Sequence, residues 1–151
     1  MTALYIPEMP ELWFRRQLLA DEATMSYNRR WGGTVDFPEV RWPEWYERWL
    51  CDPEGHFYRY LTDESGAFVG EAAYHREGDI YMADVIVYAP YRRRGHGREG
   101  LLLLCDAAKK NGLEALHDRI AADNPAVKLF TDCGFSVTSK DSTAVTVMKR
   151  L

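Results

Sequence analysis

The feature that most constrains the fold is an arginine- and glycine-rich segment between a β-rich stretch and a helical one. Residues 92–97 read RRRGHG; IYMADVIVY lies before them and GLLLLCDAAKKNG follows. Glycine lets the backbone turn tightly, and the free amides and dipole at a helix N-terminus favour a phosphate or another anion. The sequence therefore predicts a strand, a tight turn and a helix in succession, with an anion site at the turn.

The elements before this segment follow from periodicity and turn signals. One amphipathic helix is predicted from Pro10 to about Asn28, and a second helix begins near Pro43 and ends by Pro53. The segments FYRYLT, AFVGEAAYH and IYMADVIVY are rich in β-branched and aromatic residues. They predict an antiparallel meander of three strands.

After this segment the sequence predicts a helix, a strand, a short helix and two strands. Gly112 is placed to end the first helix, LEALHDRIAA has strand character, and Asn124 is placed to cap a helix that stops at Gly134. FSVTS and TAVTVMKRL supply the last two strands. This order predicts one α/β domain over residues 1–151, with a mixed β-sheet flanked by helices on both faces.

Composition excludes several classes of protein. The formal net charge of -4 argues against a general nucleic-acid or membrane-surface binder, because such proteins need a broad positive face. Cys51, Cys105 and Cys133 are odd in number and form no CxxC pair, so we expect neither disulfides nor a metal site. Since no signal-peptide or membrane-span pattern is found, we expect a cytoplasmic protein.

The basic segment also fits two other interpretations. Its four arginines and one histidine between residues 92 and 98 would suit a solvated loop. Gly95, Gly97 and Gly100 also spell GxGxxG, with Asp118 about twenty residues later, as in dinucleotide-binding folds. Such a fold needs a large parallel sheet after the motif, whereas most of this chain precedes it.

Two segments in order resemble the GNAT superfamily of N-acetyltransferases. VIVYAPYRRRGHG is similar to that family's strand followed by [QR]xxGx[GA], and NPAVKLFTDCGF is similar to its later helical segment ending in GF. Together they span Val85 to Phe135, with one helix and one strand between them. The N-terminal half matches in element order alone.

The resemblance implies an enzyme that uses acetyl-CoA as co-substrate and needs no metal. The loop amides would wrap the pyrophosphate of CoA, the backbone of one strand would pair with its pantetheine arm, and Asn124, also a plain helix cap, and Lys128 would be further contacts. The implied cofactor-binding residues are Val85, Ile86, Val87, Arg92, Arg93, Arg94, Gly95, His96, Gly97, Arg98, Asn124 and Lys128.

The catalytic groups are less well defined by the resemblance. Family bases tend to occupy the position of Tyr81 or Ala83, whereas Asp84 is a carboxylate on the other face of the strand and His117 lies on the next strand. Each of Tyr81, Asp84 and His117 is a candidate, as is a base that acts through water. Phe130 stands where the family often has an acid tyrosine, and it cannot donate a proton. We interpret Cys133 as a packed hydrophobe rather than a nucleophile.

The resemblance places the acceptor under the first two helices. Trp31, Asp36, Trp42, Trp45 and Tyr46 are candidate acceptor contacts, although the helical spacing in WPEWYERW favours core packing. We expect acetyl transfer to a primary amine of a small molecule, with a homodimer formed through the C-terminal strands as a possible assembly. The alternative is a non-catalytic acyl-CoA-binding sensor or regulatory module.

Overall fold

The computed structural model describes residues 1–151, except the side chains of Arg30 and Trp31. Seven strands form one sheet in the order β1-β2-β3-β4-β5-β7-β6. Neighbouring strands are antiparallel except β4 and β5, which are parallel. The strands are β1 Ala3–Tyr5, β2 His56–Thr62, β3 Phe68–Glu77, β4 Ile80–Val87, β5 Ala115–Ala121, β6 Ser136–Lys140 and β7 Ala144–Arg150.

Four α-helices cover the two faces of the sheet. They are α1 Trp13–Ala20, α2 Trp42–Leu50, α3 His96–Lys110 and α4 Ala126–Asp132, and short 3-10 helices lie at Met9–Leu12, Thr24–Trp31, Glu39–Arg41 and Ala89–Tyr91. Side chains of α3 and α4 pack on one face of the sheet, and side chains of α1 and α2 pack on the other. The mixed sheet flanked by helices on both faces is therefore confirmed.

The N-terminal helix is shorter than the sequence predicts. The predicted helix from Pro10 to Asn28 is wrong, because α1 ends at Ala20 and the chain turns at Asp21. The Asp21 carboxylate accepts hydrogen bonds from the backbone N–H and the hydroxyl of Thr24, at 2.9 and 2.6 Å. This local capping competes with helix continuation and starts the 3-10 segment. The sequence also missed β1, whose three residues are too few for a periodic pattern.

The core fixes the sheet against α3. Leu101 and Leu104 of α3 and Leu116 of β5 are fully buried, and burying each side chain contributes about 1.5–3 kcal/mol. The predicted end of α3 is confirmed, since Gly112 follows it with φ +87°. No helix in the described part of the chain is long and apolar enough to cross a membrane.

The parallel neighbours β4 and β5 diverge along their length. Their aligned register contains one pair, Met82 with His117, whereas β3 and β4 are aligned from Gly70 to Glu77. After Met82, the edge of β4 that faces β5 has no aligned partner. The sheet is therefore split at its centre, and this split positions the candidate site.

Candidate active site

A cleft of about 860 Å³ opens where β4 and β5 separate. Its walls come from α1, α2, β3, β4, β5, the turn before α3 and the start of α4. We call residues 92–98 with the first residues of α4 the loop end of the cleft. The carboxylate end consists of Arg15, Trp45, Trp49, Glu71, His75, Glu77, Asp84 and Asp118.

The loop end presents backbone amides to the cleft. The first hydrogen bond of the α3 ladder runs from the Glu99 N–H to the Gly95 carbonyl at 3.0 Å, so the preceding amides have no partner within the helix. Gly95 has φ +87° and Arg93 has φ +65°, a conformation that costs a non-glycine residue roughly 1–2 kcal/mol. A Cβ at Gly97 would lie 3.4 Å from Leu129 Cδ2 and 3.5 Å from Val87 Cγ2, both on residues that line the cleft. This geometry fits a pyrophosphate, as the sequence predicts.

The arginines of this segment have different surroundings. Arg92 donates to the carbonyls of Ala23 and Thr24, at 3.0 and 2.6 Å, and so ties the turn to the 3-10 segment. Arg93 and Arg98 line the cleft with Arg92. Arg94 lies over the Tyr91 ring, 5.6 Å from its centroid, and is not among the cleft-lining residues. Its predicted contact with the cofactor is therefore not supported by its position.

His96 lines the cleft, and its side chain is anchored to the segment before β1. Its side chain is buried, and Nδ1 lies 2.9 Å from the Thr2 hydroxyl oxygen, within hydrogen-bond distance. The Thr2 backbone N–H donates to the Glu99 carboxylate at 2.8 Å. These bonds attach the segment before β1 to the first turn of α3. The His96 side chain therefore supports the loop, and its backbone is the part that remains for a ligand.

Asn124 and Lys128 differ in their relation to the cleft. Asn124 lines it, and its side-chain oxygen accepts from the Ala126 N–H at 2.8 Å, which confirms the predicted helix cap. Lys128 is exposed, forms an ion pair with Asp132 at 2.9 Å and is not among the cleft-lining residues. The structure thus does not bring Lys128 to the loop.

The unpaired edge of β4 forms one margin of the cleft. Residues 85–87 line it and are held by antiparallel pairing to residues 70–72 of β3. An extended ligand can add to such an edge through backbone hydrogen bonds. The three positions predicted to bind pantetheine therefore lie on this edge, and their role stays a prediction.

A buried ion pair supports the carboxylate end. Arg15 Nη1 of α1 donates to both carboxylate oxygens of Glu71, at 2.7 and 2.9 Å, and the guanidinium lies 4.4 Å from the centroid of a Trp45 ring. Burial opposes the charged guanidinium, but Glu71, Tyr58 and Asp84 together outweigh it and raise the pKa of Arg15. Burial raises the pKa of Glu71, and Arg15 offsets this in part. Sequence reasoning missed both residues; the available signal was a carboxylate inside the apolar strand FVGEAAYH.

Asp84 lies on the cleft floor, beside Ala73 of β3. Its carboxyl is open to the cleft but enclosed by protein on its other sides, and this desolvation raises its pKa. Arg15 and His75 act in the opposite direction. Asp84 shares its face of β4 with Ile86, which packs against the α1 and α2 clusters. That face is therefore the side on which the resemblance places an acceptor.

Tyr81 and His117 lie away from the cleft lining. The Tyr81 hydroxyl donates to the Glu54 carbonyl at 2.9 Å, and its ring packs against Tyr74. His117 is on the face of β5 opposite to Asp118, and its Nδ1 is buried without a hydrogen-bond partner among the described residues. The structure brings Asp84, but neither of these side chains, into the cleft.

The predicted acceptor contacts are mostly packing residues. Trp42 is buried and donates through Nε1 to the Phe37 carbonyl at 3.1 Å, and the Tyr46 hydroxyl donates to the Pro7 carbonyl at 2.8 Å. Asp36 is exposed and outside the cleft lining, and the side chain of Trp31 lies outside the described residues. The aromatic residues of α2 that do line the cleft are Trp45 and Trp49.

The split mixed sheet has an amide-lined turn at one end of the split, suited to an anion, and carboxylates at the other end, suited to a cation. The sequence profile of the acetyltransferase (GNAT) family matches residues 16–135, and the chain belongs to that family. No curated protein sequence matched the chain.

Solved structures of the same fold cover nearly the whole chain. A spermidine N-acetyltransferase from Vibrio cholerae in complex with CoA and spermine is 16% identical, with a TM-score of 0.83 over 99% of this chain and 95% of that one. A phosphinothricin acetyltransferase from Sinorhizobium meliloti with acetyl-CoA is 14% identical, with a TM-score of 0.80 over 99% and 88%. A GNAT-family acetyltransferase from Bacillus anthracis is 12% identical, with a TM-score of 0.77 over 99% and 94%. At these identities the likeness supports the fold.

Proposed function

We propose that this protein transfers the acetyl group of acetyl-CoA to a primary amine of a small cationic molecule, by direct attack within a ternary complex. One observation carries the proposal: a single cleft joins an amide-lined turn suited to pyrophosphate to a carboxylate on the opposite side of an unpaired strand edge. The family profile and the CoA-bound neighbours support the donor.

The loop end fits the donor. The free amides before Glu99, with Arg93 and Arg98 beside them, bind the pyrophosphate, and the edge of β4 at residues 85–87 orients the pantetheine arm. The donor supplies a thioester whose acetyl carbon accepts the amine nitrogen. A backbone N–H near Val85 stabilises the negative charge that develops on the acetyl oxygen.

Asp84 is the base in this proposal. It lies on the α1 and α2 face of β4, from which the amine enters, and burial brings its pKa closer to neutrality than that of an exposed aspartate. It removes the proton that the amine must lose, directly or through one water. Tyr81 and His117 are not brought to this position.

The acceptor is a cation because of the charge at the carboxylate end. Four acidic side chains line this end: Glu71, Glu77, Asp84 and Asp118. Arg15 offsets the charge of Glu71, so Glu77 and Asp84 supply the negative charge for an acceptor. Trp45 and Trp49 stack on each other, with ring centroids 6.0 Å apart, and form an aromatic wall suited to an ammonium group. The spermine-bound neighbour supports this class of acceptor.

The test combines donor binding with turnover. Calorimetric titration of acetyl-CoA into the wild type should give about micromolar affinity. An Arg93→Ala/Arg98→Ala variant should weaken it, with Arg94→Ala as the matched control. Thiol release is then followed with putrescine, spermidine, phenylethylamine and lysine methyl ester.

Each result decides between functions. Thiol release that depends on an amine establishes the transferase. Binding without release for any amine favours the acyl-CoA sensor, and no binding contradicts the donor site itself. The homodimer is tested on the same preparation by sedimentation, since β6 is an exposed edge strand available for pairing.

A further inference from the structure

The chemistry of the proposed transfer leaves one proton without a donor. The thiolate that leaves the acetyl group must be protonated, and Phe130 occupies the position at which the resemblance expects an acid tyrosine. Its side chain is buried against Phe135, with ring centroids 4.9 Å apart. A phenyl ring has no ionisable proton, so the proton comes from another group in the cleft.

Asp118 of β5 reaches the cleft from the side of the sheet that carries Phe130. Side chains alternate along a strand, so Asp118 shares its face with Leu116 and Ile120, which pack in the core formed with α3 and α4. Asp84 is on the α1 and α2 face of β4. The two carboxyl groups therefore approach the split from opposite sides of the sheet, and both line the cleft.

We propose that Asp118 is the general acid of this enzyme and takes the place of the tyrosine that Phe130 replaces. The inference rests on the proposed acetyl transfer. In the reaction the amine nitrogen bonds to the acetyl carbon and loses one proton to Asp84, and the C–S bond breaks. The sulfur electron pair takes the Asp118 proton to give the free thiol. Solvent in the cleft then carries one proton from Asp84 back to Asp118.

The surroundings of Asp118 favour its protonated form. Desolvation first, and the negative charge of Asp84 second, hold its pKa well above the usual range, while the adjacent Arg119 N–H, donating at 2.8 Å, acts in the opposite direction. On its face β7 presents Val147, and α4 presents Leu129 and Phe130, none of which is charged.

Two arginines and one further carboxylate belong to the elements around Asp118. Arg98 of α3 lines the same cleft. Arg119 lies on the opposite face of β5, where its Nη2 is 3.9 Å from an Asp141 oxygen. Two carboxyl groups that interact across a cleft favour a state in which one is ionised and the other keeps its proton. That state supplies a base and an acid at the same time.

The experiment replaces the acid and then restores it elsewhere. Asp118→Asn keeps the shape but carries no acidic proton, and we expect kcat with acetyl-CoA and the best amine of the panel to fall by about 10²-fold. The alkaline limb of the kcat profile should be lost in the same variant. Adding Phe130→Tyr should raise kcat at least about tenfold above that of Asp118→Asn. It should also bring back an alkaline limb at higher pH, because tyrosine has a pKa near 10.

Folding and donor binding are measured for every variant. Asp106→Asn, which removes an exposed ion pair of α3 with Lys110, is the matched control and should leave kcat unchanged. The proposal is overturned if Asp118→Asn binds acetyl-CoA normally and retains kcat within twofold, or if Phe130→Tyr restores nothing. A wild type that binds acetyl-CoA but transfers to no amine contradicts the proposed function instead.

Discussion

The loop end and the carboxylate end of the cleft are built in opposite ways. At the loop end, the consecutive residues Arg92 to Arg98 set the backbone conformation, and the amides they expose are the proposed binding groups. At the carboxylate end, Arg15, Trp45, Glu71 and Asp84 come from four separate elements and meet only in the folded chain. A ligand at the first end is held by local geometry, whereas the second end depends on the whole fold.

The largest expected effect is on stability, and it tests whether the carboxylate end also stabilises the fold. Glu71→Ala leaves the buried Arg15 without its partner, and the loss should lower the free energy of unfolding by about 3–5 kcal/mol, measured by urea titration. Arg48→Ala, which removes the exposed pair with Glu44, is the control and should change it by at most about 0.5 kcal/mol.

A paired replacement sharpens this test. Arg15→Met/Glu71→Leu removes both charges and should cost far less than Glu71→Ala, because no charge remains buried alone. If Glu71→Ala and Arg48→Ala lower the free energy of unfolding equally, the buried pair stabilises the fold no more than a surface pair does.

The second effect concerns chemistry at the same end. Asp84→Asn should lower kcat by about 10²–10⁴-fold while acetyl-CoA binds with its original affinity. In the wild type, activity should fall at low pH as Asp84 becomes protonated, with a midpoint above its ordinary pKa of 3.8 because burial raises it. Unchanged turnover in the asparagine variant would remove Asp84 from the mechanism.

The same carboxyl group has an opposite effect on stability. Since the folded state raises the pKa of Asp84, ionised Asp84 destabilises the fold, and this penalty develops between its ordinary pKa of 3.8 and the raised folded value. Asp84→Asn should therefore unfold at a higher urea concentration than the wild type at about pH 8, and this advantage should disappear near pH 3.8. A constant difference at both pH values would contradict this assignment of the pKa shift.

A smaller effect is expected at the loop end. Arg98→Ala should weaken acetyl-CoA binding about tenfold at low salt and less at high salt, because it removes one charge-assisted contact from a backbone site. Arg94→Ala should change the affinity less than twofold, since that side chain lies over Tyr91 outside the cleft. Calorimetry at two salt concentrations measures both. If the two variants lose equal affinity, it is wrong that Arg98 contacts the donor and Arg94 does not.

The smallest effect concerns Asn124. Asn124→Ala removes the cap of α4 and should cost about 1 kcal/mol of stability, while Asn124→Asp retains the bond to the Ala126 N–H. Donor affinity should stay within twofold in both variants. A larger loss of affinity than of stability would instead make Asn124 a ligand contact.

The contrast between local and long-range contacts also explains which features the sequence predicts. The strands from His56 to Val87, the end of α3 at Gly112 and the cap at Asn124 were predicted because each depends on neighbours a few residues away. The end of α1 was missed because the Asp21 side chain competes with the helical backbone, which hydrophobic periodicity does not detect.

The carboxylate end was mostly missed for a related reason. Arg15 and Glu71 are 56 positions apart, and nothing in either local segment indicates that they pair. In the sequence, Asp118 stands out only as the acidic residue that follows GxGxxG in a dinucleotide-binding pattern. Its relation to Asp84 depends on strand order and on the divergence of β4 from β5, which one sequence does not reveal.

The bonds from Thr2 to His96 and Glu99 have a practical consequence for handling the protein. A residue that precedes β1 is fastened directly to the turn that would hold the donor, so the beginning of the chain is mechanically coupled to that turn. We expect an affinity tag or fusion partner joined ahead of Thr2 to strain this attachment, whereas the last residue of β7, Arg150, pairs with Ala115 of β5. Purification handles and surface immobilisation therefore belong at the C-terminus.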